Sequence, residues 1–182
     1  MAMTLDGTNG LTFNDATTQS STATNASNIS SGTLGKARLP TGSVLQVVQA
    51  TTSTQISANN QDVITFNFEC AITPLFSTSK MLVIASVNGI DNGGSGRMST
   101  YIFQSTTSGG TSGTQLVNTQ VASNGTSTAG LMSTSISYFT GAVGSTSTQY
   151  FKIINSKNDN GTTWYVQRFS VFSSLIVMEI AA

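Results

Sequence analysis

Three features of the sequence predict an all-β fold, an antiparallel sandwich of short strands. Ser and Thr make up roughly a third of the 182 residues, well above ordinary usage; Thr favours strands, while Ser, Asn and Gly favour turns. From Gly42 onward, stretches with strand patterning alternate with Gly- and Asn-containing turns about every 8–12 residues, the spacing of a sandwich or jelly roll. Runs of Glu, Lys and Ala that would sustain a helix are nearly absent. A chain of this length holds one domain with a sizeable core and a short appendage. The division falls between an extended segment, residues 1–41, and a β-sandwich head, residues 42–182.

The appendage differs in kind from the head. Two Gly-containing turns frame Leu5, Leu11 and Phe13, a pattern for a small hairpin whose three apolar anchors are too few to bury a core. Residues 16–28 are polar and read as extended linker. Ile29, Leu34 and Leu39 follow at wide spacing, and three copies of this segment side by side would let them line a thin shared core.

In the head, Ser43 to Gln49 places Val44 and Val48 on one face and Leu45 and Val47 on the other. Asp62 to Ile72 alternates clearly, with Ile64, Phe66, Phe68 and Cys70 inward and Glu69 outward; Thr73-Pro74 ends it, because proline cannot donate to a ladder. Lys80 to Ile90 is a strand of the buried type. Further strands are expected at Met98 to Ser105, Thr114 to Val121, Leu131 to Thr140 and Thr148 to Asn155. Asn160-Gly161 signals a hairpin into Thr163 to Phe169.

The last stretch, Ser173 to Ala182, organises the rest. Leu175 to Met178 is an unbroken apolar run, which calls for cover on both faces. Either it is a central strand of the chain's own sandwich, or its second face is covered by copies of the same chain around a symmetry axis. Leu175, Val177 and Glu179 are the candidate interface residues of the strand. The carboxylate of Glu179 must be paired, hydrogen-bonded or turned to water. If buried, its cationic partner would come from the chain's few Lys and Arg, and an intersubunit pair would fix the register.

Composition excludes several functions. Lys+Arg 7 balances Asp+Glu 7, with no basic cluster to neutralise phosphates, so no nucleic-acid partner is expected. There is no histidine, and Cys70 alone offers neither a disulfide, a thiolate pair nor a zinc site. The seven acids show no spacing that argues for a catalytic carboxylate pair, and the Gly-rich segments lack a phosphate loop's Lys-Ser/Thr. An enzyme, a cofactor and a metal are therefore not expected. No signal peptide and no apolar run long enough for a membrane span are read. Candidate receptor-contact residues are Asp91, Asn92, Arg97, Asp159, Asn160 and Trp164: an aromatic beside Asn and Asp suits a sugar ring, and the alternative for Trp164 is a core position at a strand start.

Three segments carry a resemblance. Residues 5–19, LDGTNGLTFNDATTQ, resemble the LDGTNGxTFxDGTxQ element of phage fibre proteins, departing at Ala16 where that element has Gly. Residues 28–40, NISSGTLGKARLP, resemble an ISSGTLxxARLP shaft element. Residues 41–49, TGSVLQVVQ, with 79–83 and the ending 176–181, IVMEIA, are similar to a fibre-head domain of phages of aquatic bacteria. The chain thus looks like a bacteriophage tail-fibre or virion-fibre protein. The resemblance implies a homotrimer whose heads are jelly rolls like those of the C1q and tumour-necrosis-factor families, with first and last strands near the threefold axis. It also implies an N-terminal element, including Leu5, Leu11 and Phe13, docked to other virion proteins of the tail, collar or capsid, and a head that attaches to a host surface glycan or protein. A capsid decoration protein and a polysaccharide-degrading tailspike are the alternatives.

Overall fold

A computed structural model describes residues 4–6, 10–12, 18–19, 35–59, 65–91, 95–124, 131–157 and 163–182. The chain divides into two units, Met1–Arg38 and Leu39–Ala182. In the first, β1 (Thr4–Asp6), β2 (Gly10–Thr12) and β3 (Thr18–Gln19) form an antiparallel sheet in that order. Leu5 lies opposite Leu11, as the expected hairpin requires. Thr18–Gln19, read from sequence as linker, adds a third strand. A single 3-10 turn, Lys36–Arg38, follows.

The second unit contains β4 (Val44–Thr52), β5 (Ile56–Ala58), β6 (Thr65–Ile72), β7 (Lys80–Ile90), β8 (Ser95–Ser105), β9 (Thr114–Asn124), β10 (Met132–Ala142), β11 (Gln149–Lys157), β12 (Trp164–Val166) and β13 (Ser173–Ile180). Two antiparallel four-stranded sheets, β10-β7-β13-β4 and β6-β11-β8-β9, make the sandwich. All consecutive long strands except β8 and β9 alternate between the sheets, the arrangement of a jelly roll.

Alternation along each strand builds the core. Phe68, Cys70, Ile72, Met98, Ile102, Phe151 and Ile153 from one sheet face Met81, Val83, Ala85, Val87, Ile136, Leu175 and Val177 from the other. Filling each of these positions contributes about 1.5–3 kcal/mol for the larger side chains. Burial alone raises the pKa of the Cys70 thiol, which keeps it a small hydrophobe and a poor nucleophile.

Two expectations are corrected. The expected hairpin between the strands flanking Asn160-Gly161, residues that lie outside the described ones, is not formed: β11 pairs with β6 and β8, and β12 pairs with β5 in a separate two-stranded ladder. Beyond Val166 the backbone turns left-handed at Gln167, so β12 is only three residues long. On β4, a register shift against β13 between Val44 and Gln46 resets the alternation. Leu45 and Val48 therefore point inward, and both Val44 and Val47 point out.

The chain's last strand is tied in at every level. β13 is hydrogen-bonded to β4 on one side and β7 on the other. Gly42 N donates to Ala181 O (2.8 Å), and Ala181 N donates to Ser43 O (2.9 Å), extending the ladder past its end. Glu179, fully buried on the inner face, accepts from Gln46 Nε2 (2.6 Å), Leu75 N (2.8 Å) and Phe76 N (3.2 Å). No cation and no second subunit is needed to satisfy it. Its carboxylate pins the β6–β7 connection to the end of the sandwich. Glu179→Ala leaves Leu75 N and Phe76 N without their acceptor, while Gln46 Nε2 keeps its bond to Thr73 O (2.8 Å), and should cost about 2–4 kcal/mol. Glu179→Gln should cost less, as measured by urea denaturation of the two variants beside the parent chain.

Candidate interaction surface

The face of β13 opposite the core belongs to a sheet surface on which, among the described residues, large apolar side chains remain exposed. Cross-strand pairing aligns Phe139, Leu82, Met178 and Val47 in one row across all four strands of β10-β7-β13-β4. Ser137, Ile84, Ile176 and Gln49 form the next row, and Lys80, Ile180 and Val44 flank the first on its other side. Val47, Phe139, Val44 and Ile84 are 55, 52, 51 and 37% exposed. A further row, Ser135, Ser86, Ser174 and Thr51, is hydroxyl-bearing throughout. Lys80 is the sole charge in these rows, its Nζ 5.9 Å from the centroid of the Phe139 ring. With strands about 4.8 Å apart and rows about 6.8 Å apart, the three apolar-bearing rows, Ser137, Gln49 and Lys80 included, project over roughly 400 Å².

A second displayed feature is the turn between β12 and β13. Gln167, Phe169 and Ser170 hold φ of 53, 60 and 58°, the left-handed region that non-glycine residues rarely occupy. Around them, Gln167 N donates to Asn88 O (3.1 Å), Ser170 N to Gln167 O (3.0 Å), Asn88 Nδ2 to Phe172 O (2.6 Å) and Gln167 Nε2 to Ser173 Oγ (2.8 Å). Arg168 pairs with Asp91 and lies over Tyr165 and Phe169, 4.7 and 5.1 Å from their centroids. The turn presents Phe169 and Phe172, 70 and 69% exposed. Gly89, at φ +67°, is what lets the turn approach β7: a Cβ there would lie 2.8 Å from Arg168 N.

The sequence candidates distribute as follows. Leu175, Val177 and Glu179, expected at a subunit interface, are fully buried within the chain's own sandwich, and Ile176, Met178 and Ile180 alternate with them on the opposite face. Leu39 is half-buried, while Ile29 and Leu34 lie outside the described residues. Leu5 and Leu11 are cross-strand partners, and Phe13 is outside the described residues. Trp164 is a core residue, with no exposed surface to offer a sugar. Asp91 is not a loop-tip contact but a buried anchor, its N and O both bonded to Tyr165 (3.0 and 2.8 Å) and its carboxylate to Arg168. Arg97 is exposed, and Asn92, Asp159 and Asn160 lie outside the described residues. The displayed aromatics that sequence reasoning missed, Phe169 and Phe172, sit in a segment whose pattern reads as strand.

Among the described residues no group of three or more His, Cys, Asp or Glu side chains is placed to hold a metal, and no helix is long and apolar enough to cross a membrane. No protein-family model matches the chain, and no curated protein sequence matches it. Among solved structures it is similar to the infectious bursal disease virus VP2 subviral particle, at 18% identity and TM-score 0.45 over 76% of this chain and 34% of that one. The Gx strain of the same virus is matched at 18% identity and TM-score 0.44, over 76% and 33%. The chain spans about a third of the length of these viral chains.

Gly89→Ala should destabilise the head by about 1–3 kcal/mol, since it combines a positive φ with a backbone collision. The check is the urea midpoint, with a change in Trp164 fluorescence reporting the displaced turn.

Proposed function

We propose that this chain is a non-enzymatic structural protein of a bacteriophage particle, a homotrimeric fibre whose residues 1–41 dock to the virion and whose head attaches to the host surface. The observation that carries the reading is the apolar face of β10-β7-β13-β4, with four large side chains on β4, β7 and β10 more than a third exposed. Its occupant is a second and third copy of the same chain. The face is almost uncharged, so it offers a foreign partner little electrostatic selectivity, and around a threefold axis one margin of the apolar face would pack against a different margin of its neighbour's. One side of a standard interface buries about 800 Å², twice the projected area of the three rows, so the contact takes in the adjoining Ser/Thr row as well. The fibre-element resemblance of residues 5–19 and 28–40 supports threefold rather than twofold assembly.

The three described head and strand-end acids fit a role without chemistry. Glu69 accepts from Ser108 Oγ and Gly109 N, Asp91 pairs with Arg168, and Glu179 holds the β6–β7 connection; each is engaged in holding a loop. Host attachment would then fall to the loops and displayed aromatics at the margins of the head, repeated three times to raise avidity.

Phe139→Asp, and separately Val47→Asp, tests the assembly. Both positions are about half exposed in the single chain, so each change should cost the fold about 1–2 kcal/mol, from lost apolar cover and the poor strand propensity of Asp, and leave it folded. Sedimentation velocity should show the parent trimer replaced by folded monomers. Trimers that survive both changes would mean that another surface joins the subunits.

A further inference from the structure

A polar cleft of about 400 Å³ opens where the β8–β9 hairpin meets the start of β11, lined by Gln104, Ser105, Thr106, Gly113, Thr114 and Gln149. Its volume lies in the range of small-molecule sites, while its lining departs from their usual apolar character. No charged side chain contributes to the wall. An anionic ligand would find no counter-charge there and a cation no carboxylate. An apolar one would strip water from amides and hydroxyls without replacing their hydrogen bonds.

The wall is held in place before any ligand arrives. Gln104 Nε2 donates to Gln149 Oε1 (3.1 Å), and Gln149 Nε2 donates to Ser147 O (3.0 Å), so both amides have fixed orientations. The Gln104 amide oxygen and the exposed Thr106 and Thr114 hydroxyls have no protein partner among the described residues. The loop from Thr106 to Ser112, whose Ser, Thr and Gly content would otherwise leave it mobile, is clamped from the sheet below. Glu69 accepts from Ser108 Oγ (2.5 Å) and Gly109 N (2.9 Å), and Lys152, its cross-strand neighbour, donates to Gly109 O (2.5 Å) and Ser112 O (3.1 Å). Gly113, at φ +140°, closes the clamp; a Cβ there would lie 2.6 Å from Gln104 O. Two charges are thus committed to shaping an uncharged recess.

We infer that this cleft is a binding site for a neutral saccharide, the polyhydroxylated class that exchanges water for oriented amides and hydroxyls without needing charge. The inference rests on the attachment reading and names the ligand class that the head takes at this place. It lies on the sheet opposite the proposed subunit contact, so three copies would present it together.

The test is an array of immobilised neutral glycans ending in glucose, galactose, mannose or N-acetylglucosamine, beside sialylated and uronic-acid glycans, probed with the full chain, whose solution mass is measured in parallel. Retention on one or more neutral glycans is expected, falling at least tenfold for Thr114→Trp, which fills the cleft from an exposed strand position, and for Gln104→Leu, which removes its amide. Retention on acidic glycans alone overturns the inference. Neutral-glycan retention unchanged in both variants places the sugar elsewhere, so the cleft assignment falls and the attachment reading stands. A trimer that retains no glycan overturns the cleft assignment alone, and a monomer that retains none overturns both.

Discussion

The head is built around a strand with two apolar faces and two paired edges. β13 satisfies its backbone against β4 and β7, and Leu175 and Val177 fill the core. Ile176, Met178 and Ile180, on the other side, are only half-covered and continue into the apolar side chains of β4, β7 and β10. A sheet that faced water permanently would carry polar residues at these places. The bulge in β4 adds to the surplus by turning both Val44 and Val47 outward. Association of copies is the proposed resolution of this one constraint.

The scarcity of charge makes the use of each charged side chain informative. Only 8% of the residues are charged. Glu179 secures the β6–β7 connection, Glu69 and Lys152 secure the β8–β9 loop, and Asp91 with Arg168 secures the turn before β13. Loops of Ser, Thr and Gly have little apolar area with which to offset the entropy of ordering. Charge-assisted bonds to their backbone groups supply what burial does not. The result is three connections with defined shapes.

Much of this was legible in the residues. Alternation located β6, the Pro74 stop after it and the dual apolar character of β7 and β13, because these strands lie centrally or face the core for their whole length. The pairing of β5 with β12 was not legible: each is three residues long, and their partnership is set by tertiary placement rather than by local pattern. The inward turn of Glu179 was equally hidden, since its partners Gln46, Leu75 and Phe76 stand more than a hundred positions away. A carboxylate between Met178 and Ile180 looked like an intersubunit device, and proximity in space made it an internal one. Left-handed Gln167, Phe169 and Ser170 break a segment whose composition favours strand, and the bonds around that turn reach Asn88 and Asp91, far away in the sequence. The open face itself was signalled by the unbroken run at Leu175 to Met178, though the residues that form it are the alternate ones to those the run first suggested.

The most direct test is the mass of the purified chain by light scattering over a hundredfold dilution. The account predicts a species of three times 18.9 kDa that persists on dilution. A monomer at all concentrations would contradict it, and would mean that the apolar rows on β10-β7-β13-β4 are left to water or kept for a different partner.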